Sequence, residues 1–134
     1  MEFALIIMNK NKIVIVINKP VSVVFEFTTN PKNTHLWIPQ IKEELSDKYP
    51  PEMDTIYKNR EDSDKWAYYT VIEFEKDKTF TLRASDNNYF VRYTYKKLSE
   101  TKTEMQYFEW VNEGKIENPF TQKILQVLKE ILEK

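Results

Sequence analysis

The run Asn18-Lys19-Pro20-Val21-Ser22-Val23-Val24-Phe25-Glu26-Phe27, continuing through Asn30-Pro31 to Trp37-Ile38-Pro39-Gln40-Ile41, decides the fold of this chain. Before it stands Ile13-Val14-Ile15-Val16-Ile17, an apolar β-branched run that reads as a strand. Pro20 closes that strand and suits the first turn of a helix, because it has no N–H to leave unpaired there. Val21, Val24, Phe25 and Phe27 then fall on one side of a short helix, which Pro31 stops. A strand, a short helix and an aromatic-proline hook therefore follow one another without a break.

Downstream of the hook, Ile41 to Lys48 and Thr55 to Asn59 read as short strands, separated by Tyr49-Pro50-Pro51-Glu52. The β signal then strengthens. Trp66 to Glu75, Thr79 to Ser85, Tyr89 to Lys97 and Thr103 to Val111 are long β-prone runs joined by polar turns at residues 76–78, 86–88 and 99–102. Asn118-Pro119 opens a terminal helix, with Asn as its cap and Phe120, Ile124, Val127, Leu128 and Ile131 at helical spacing. Short connections favour an antiparallel meander, and one long amphipathic helix needs a curved sheet to lie in. The expected architecture is α+β: a curved antiparallel sheet of about seven strands around a long C-terminal helix, with two short helices after the first strand.

Composition narrows the function classes. At 134 residues the chain reads as one domain spanning 1–134. Lys+Arg 20 against Asp+Glu 21 gives a net charge of -1, which removes the electrostatic footprint of a nucleic-acid binder. With no cysteine, disulfides, thiolate nucleophiles and cysteine-ligated zinc are excluded, and a reducing, cytoplasmic compartment fits. The single histidine, His35, excludes a two-histidine metal or catalytic arrangement and reads as an exposed or rim residue. One glycine leaves no phosphate-cradling loop, so no cofactor is expected. The stretch Phe3 to Met8 is too short to span a bilayer and has no basic flank before it, so stable membrane insertion is not expected. Residues 1–11 read as an extension of the first strand or a poorly ordered tail, with Met8 an alternative start. Aromatic content of 14% is high and points to an aromatic-lined interior.

Centring the hairpin turns assigns the faces of the sheet. Trp66, Tyr68, Thr70, Ile72 and Phe74 share the apolar face with Phe80, Leu82 and Ala84. From the last two strands it also takes Tyr89, Val91, Tyr93, Tyr95, Met105, Tyr107, Glu109 and Val111. Glu73, Thr81, Arg83, Ser85, Arg92, Thr94 and Gln106 face water, as do the exceptions Phe108 and Trp110. Arg83 and Arg92 come out opposite one another. Glu73 is close enough to offset one of them, so a hydrated surface pair is favoured over an anion clamp.

The order strand, two small helices, Trp-x-Pro-x-Ile, further strands and long helix resembles the START-like superfamily, which includes the polyketide cyclase/dehydrase and lipid-transport proteins. The likeness runs from about Lys12 to the C-terminus. Leu98-Ser99-Glu100-Thr101-Lys102-Thr103-Glu104-Met105 also looks like that family's turn into its last strand. Lys102 and Asp54 stand where the family usually has glycine. The resemblance implies a helix-grip fold built around a ligand cavity, with Trp37 and Tyr57 in the segments that close one mouth. It carries no catalytic residue, because the family has no single catalytic motif and spans carriers, cyclases, ring hydroxylase subunits and cochaperone-like domains.

The leading expectation is a protein that binds a small hydrophobic or aromatic molecule. Trp66, Tyr68, Tyr93 and Tyr107 would serve as stacking surfaces, Leu82 as wall, and Glu109 would fix orientation. Trp37, Ile124 and Leu128 are core residues first and cavity residues second. An alternative is a polyketide cyclase-like enzyme using Glu109, a buried carboxylate among tyrosines, as acid or base. A third reading is an interaction or cochaperone-like domain, with Phe108 and Trp110 forming a homodimer or client surface.

Overall fold

A computed structural model describes residues 8–134; of the stretch 1–11, residues 1–7 lie outside the described part, and Lys10 and Asn11 extend the first strand as one of the two expectations had it. Strand β1 (Lys10–Ile17) leads into α1 (Val21–Thr29), a 3-10 turn at Pro31–Asn33, and α2 (Thr34–Trp37). The strands β2 (Glu43–Ser46), β3 (Ile56–Arg60), β4 (Ala67–Glu75), β5 (Thr79–Ala84), β6 (Tyr89–Ser99) and β7 (Lys102–Val111) follow, and α3 (Gln122–Leu132) closes the chain. All strand pairs are antiparallel in one seven-stranded sheet ordered β1-β7-β6-β5-β4-β3-β2. Each neighbour from β2 to β7 is also next in sequence, which is the expected meander. The α1–α2 connection carries the chain from the β1 edge to the β2 edge.

Pro20 immediately precedes α1, and the helix ends before Pro31, whose turn is capped by the Asn30 side chain accepting from the Lys32 N–H. Val24 and Phe25 are buried on the inner side, and the Thr28 hydroxyl meets that of Tyr95 at 2.6 Å. Amphipathic α3 buries Ile124, Leu125 and Leu128 and packs against β1 and α2. The observed architecture is the expected helix-grip α+β fold.

The inner rows of the sheet read across as Val71, Leu82, Val91, Glu109 and Asn11, then as Phe74, Phe80, Tyr93, Tyr107 and Ile13. This matches the expected faces of β5, β6 and β7, except that Thr81, expected to meet water on the outer face, is buried where Glu73 and Arg92 bond its hydroxyl. Strand β4 departs from expectation. Its register slips between Val71 and Glu73, a bulge that inserts one residue and reverses which side chains face inward. Phe74 stays inside, but on the N-terminal half Tyr69 and Val71 take the inner positions that Tyr68, Thr70 and Ile72 were expected to fill. Tyr68 is 46% exposed on the outer face.

Two further expectations are corrected. Arg83 lies opposite Phe90, while Arg92 lies opposite Thr81 and pairs with Glu73 at 3.0 Å, so the two arginines do not face each other. The terminal helix starts at Gln122 with Thr121 as its cap, because the preceding Phe120 N–H is held by a side chain of the sheet. Asp54, at one of the sites where the resemblance expects glycine, has φ +71°, a left-handed conformation that aspartate tolerates better than most residues.

Candidate functional site

Between the inner face of the sheet and the α1–α2 segment lies a half-open cavity of about 730 Å³. Phe80, Leu82, Val91, Tyr93 and Tyr107 form its floor, and Tyr57 and Tyr69 its wall toward the β2 edge. Thr28, Thr34, Ile38 and Ile41 cover it from the helical side. Exposed Glu61, Ser63, Lys65 and Asp86 mark the open side. Trp66, just before β4, also lines the cavity and carries the Lys58 ammonium 4.5 Å and the Arg60 guanidinium 5.7 Å from its ring.

The floor is held rigid by aromatic contacts. Phe80 packs edge-on against Tyr57 and tilted against Tyr93, and Tyr107 stacks on Phe120 with centroids 3.9 Å apart. Trp37, 1% exposed, lies behind this wall and meets Tyr93 and Phe120 edge-to-face. The Tyr57 hydroxyl donates to the Thr29 carbonyl at 2.7 Å. Burial pushes the Tyr57, Tyr69 and Tyr93 hydroxyls up from their ordinary range, and the nearby Glu44 charge adds to it in each case, so all three are neutral donors.

Of the residues expected at the site, Tyr57, Trp66, Leu82, Tyr93 and Tyr107 line this cavity. Trp37, Ile124 and Leu128 are buried in the core without lining it, and Tyr68 is turned outward by the β4 bulge. Glu109 is fully buried, yet it too lies off the cavity surface. Its carboxylate accepts from the Tyr89 hydroxyl at 2.5 Å, the Asn11 amide at 2.8 Å and the Phe120 N–H at 2.7 Å. Asn11 also donates to the Phe120 carbonyl at 2.9 Å. Glu109 thus latches the loop before α3 onto β1 and β7; of the tyrosines expected around it, Tyr93 and Tyr107 lie within reach of its charge and Tyr68 faces outward, while the tyrosine that bonds it is Tyr89.

The carboxylate that does line the cavity is Glu44, which the sequence reading passed over. Strand pairing sets it opposite Asn59, whose amide donates to it at 3.1 Å, and α2 supplies the Thr34 hydroxyl at 2.5 Å. Burial raises its pKa above the ordinary carboxylate range, and those two hydrogen bonds oppose the rise without cancelling it. The one sequence signal was the alternation in β2, where Leu45 is 43% exposed and Glu44 faces in; next to Glu43, Glu44 reads as one more solvated acid.

A raised carboxylate pKa makes folding most favourable in acid, with that stability lost as pH climbs through the folded-state value. Glu44→Gln removes this titration and keeps a side chain able to bond Thr34 and Asn59. The variant is expected to be more stable than the parent at about pH 8 and equal to it at about pH 4, measured by urea unfolding at both.

On the outer face, Trp110 stacks between Phe90 and Phe108 and lies under the Arg92 guanidinium, so Phe108 and Trp110 are partly covered. His35 is exposed, as expected. Among the described residues no helix is long and apolar enough to cross a membrane.

No family model and no curated protein matches the sequence. Solved structures do match. A Polyketide_cyc-like protein from Corynebacterium glutamicum is similar at 19% identity and TM-score 0.58, over 77% of this chain and 65% of that one, so this chain spans less than two thirds of that protein. The Aha1 protein from Colwellia psychrerythraea, solved as a dimer, is similar at 14% identity and TM-score 0.66, over 94% of this chain and 97% of that one. A START superfamily protein from Mycobacterium smegmatis is similar at 13% identity and TM-score 0.62, over 92% of this chain and 89% of that one. The chain has the START-like, helix-grip fold.

Proposed function

We propose that this chain, as one cytoplasmic domain, binds a small, mainly apolar or aromatic molecule in the cavity between sheet and helices. The observation that carries the reading is the cavity itself: about 730 Å³, floored by aromatic and aliphatic side chains locked by their own packing, with polar residues such as Glu44, Asn59, Arg60 and Asp86 completing its lining. That volume suits a ligand of ordinary metabolite size. The test is native mass spectrometry of protein purified from its own source, with Leu82→Trp as the control. Leu82 faces the open cavity, so an indole there fills ligand space at a fold cost of about 1–3 kcal/mol. A copurified apolar compound that is lost from Leu82→Trp supports binding in the cavity. A compound retained by the variant places binding elsewhere and counts against it.

One observation favours a second reading, catalysis on a carbonyl-type compound: a carboxyl with a raised pKa lines the cavity together with the neutral Tyr69 and Tyr93. In that reading Glu44 takes the acid or base role expected of Glu109, whose oxygens are committed to the Phe120 latch. Glu44→Gln would then abolish turnover of a known substrate. The homodimer reading rests on the outer Phe108–Trp110 patch and on the dimeric state of the Aha1 protein.

A further inference from the structure

We infer that the cavity selects an organic cation, a compact apolar or aromatic body whose ammonium group seats against Glu44; this rests on the cavity being a binding site.

The placement of Glu44 works against the pattern that stabilises a sheet. In β2 the aliphatic Leu45 points to water while the acid beside it points into an aromatic cavity. Exchanging the two roles would bury a leucine and free a carboxylate, so this arrangement is costly for stability and makes sense at a functional position. Glu109 shows what a structural carboxylate looks like in the same protein. It is off the cavity and takes hydrogen bonds from an amide, a hydroxyl and a backbone N–H.

Glu44 is provided for differently. One neutral donor reaches each oxygen, Thr34 on Oε1 and Asn59 on Oε2, so each oxygen keeps a lone-pair direction for another donor. Among the described residues no cation pairs with it. Of the two basic residues that flank Asn59 on β3, Arg60 lines the cavity but directs its Nε to Glu43 at 2.9 Å, and Lys58 lies over the Trp66 ring; Lys65 sits on the exposed rim. The surrounding walls are Tyr57, Tyr69, Tyr93 and Phe80, whose ring faces attract positive charge. A ligand ammonium would therefore find a desolvated countercharge and aromatic faces together. The three lining carboxylates, Glu44, Glu61 and Asp86, outnumber the two lining cations, Arg60, whose Nε is paired with Glu43, and Lys65, so an anionic ligand is disfavoured.

The experiment uses three probes of one shape: 2-naphthylmethylamine, 2-naphthalenemethanol and 2-naphthoate. Each is titrated at neutral pH against the full chain and against Glu44→Gln, by calorimetry. The amine is expected to bind the parent about tenfold or more tighter than the alcohol, with naphthoate weakest. In Glu44→Gln the amine advantage is expected to vanish while the alcohol binds as before. If the alcohol binds the parent as tightly as the amine, or the amine keeps its advantage in the variant, the cation assignment is overturned and the apolar cavity stands. If none of the three binds, the cavity reading falls with it. Should the variant fail to fold, the parent's amine-to-alcohol ratio decides alone.

Discussion

Glu109→Ala is expected to destabilise the protein by about 3 kcal/mol or more. The substitution leaves the Asn11 amide, the Phe120 N–H and the Tyr89 hydroxyl without their acceptor, and each buried orphan costs about 1–3 kcal/mol, less where water can enter. The loss is not confined to hydrogen bonds. Phe120 stacks on Tyr107 and meets Trp37 edge-to-face, so releasing its backbone loosens the wall of the cavity and the entry into α3. Glu109→Gln keeps one oxygen for Asn11 and Phe120 and is expected to lose much less. Urea unfolding checks the magnitude, and hydrogen exchange at the Phe120 amide checks the mechanism: protected in the parent, fast in Glu109→Ala. A change below about 0.5 kcal/mol would mean the latch is not structural.

Trp37→Ala is expected to cost about 3–5 kcal/mol, the range for removing a large buried aromatic side chain. Trp37 backs both Tyr93, on the cavity floor, and Phe120, on the latch. Trp37→Phe should be far milder, for a specific reason. The indole N–H is buried without a hydrogen-bond partner among the described residues, so phenylalanine removes an unpaired donor along with some packing volume. Thermal unfolding of the two variants tests this, with phenylalanine close to the parent and alanine far below. Equal losses would show that phenylalanine recovers none of the packing the indole provides.

The meander and its helices were legible because their signals are local. Alternation over long runs with short polar turns set the faces of β5 to β7, and Pro20 and Pro31 bounded α1. The face of β4 was not legible, since Tyr68, Thr70 and Ile72 alternate as plausibly as Tyr69 and Val71. A bulge chooses between them through tertiary packing rather than composition. Glu109 was readable as a buried acid, but its partners come from β1 and from the loop before α3, at separations a hairpin register cannot reach. That same long-range bond shifted the helix start from Asn118 to Thr121. Glu44 escaped because a short edge strand with adjacent acids carries the pattern of a solvated surface. Only the fold, setting α2 and β3 beside it, turns the side chain into part of a cavity.

Methyl-resolved NMR during titration with 2-naphthalenemethanol shows whether apolar molecules enter the cavity on the inner face of the sheet. Saturable shifts are expected at Ile38, Ile41, Leu82 and Val91, which line the cavity, with Val14, Val16 and Leu45 on exposed surface unmoved. Shifts confined to the exposed methyls, or none at saturation, would contradict entry into the cavity.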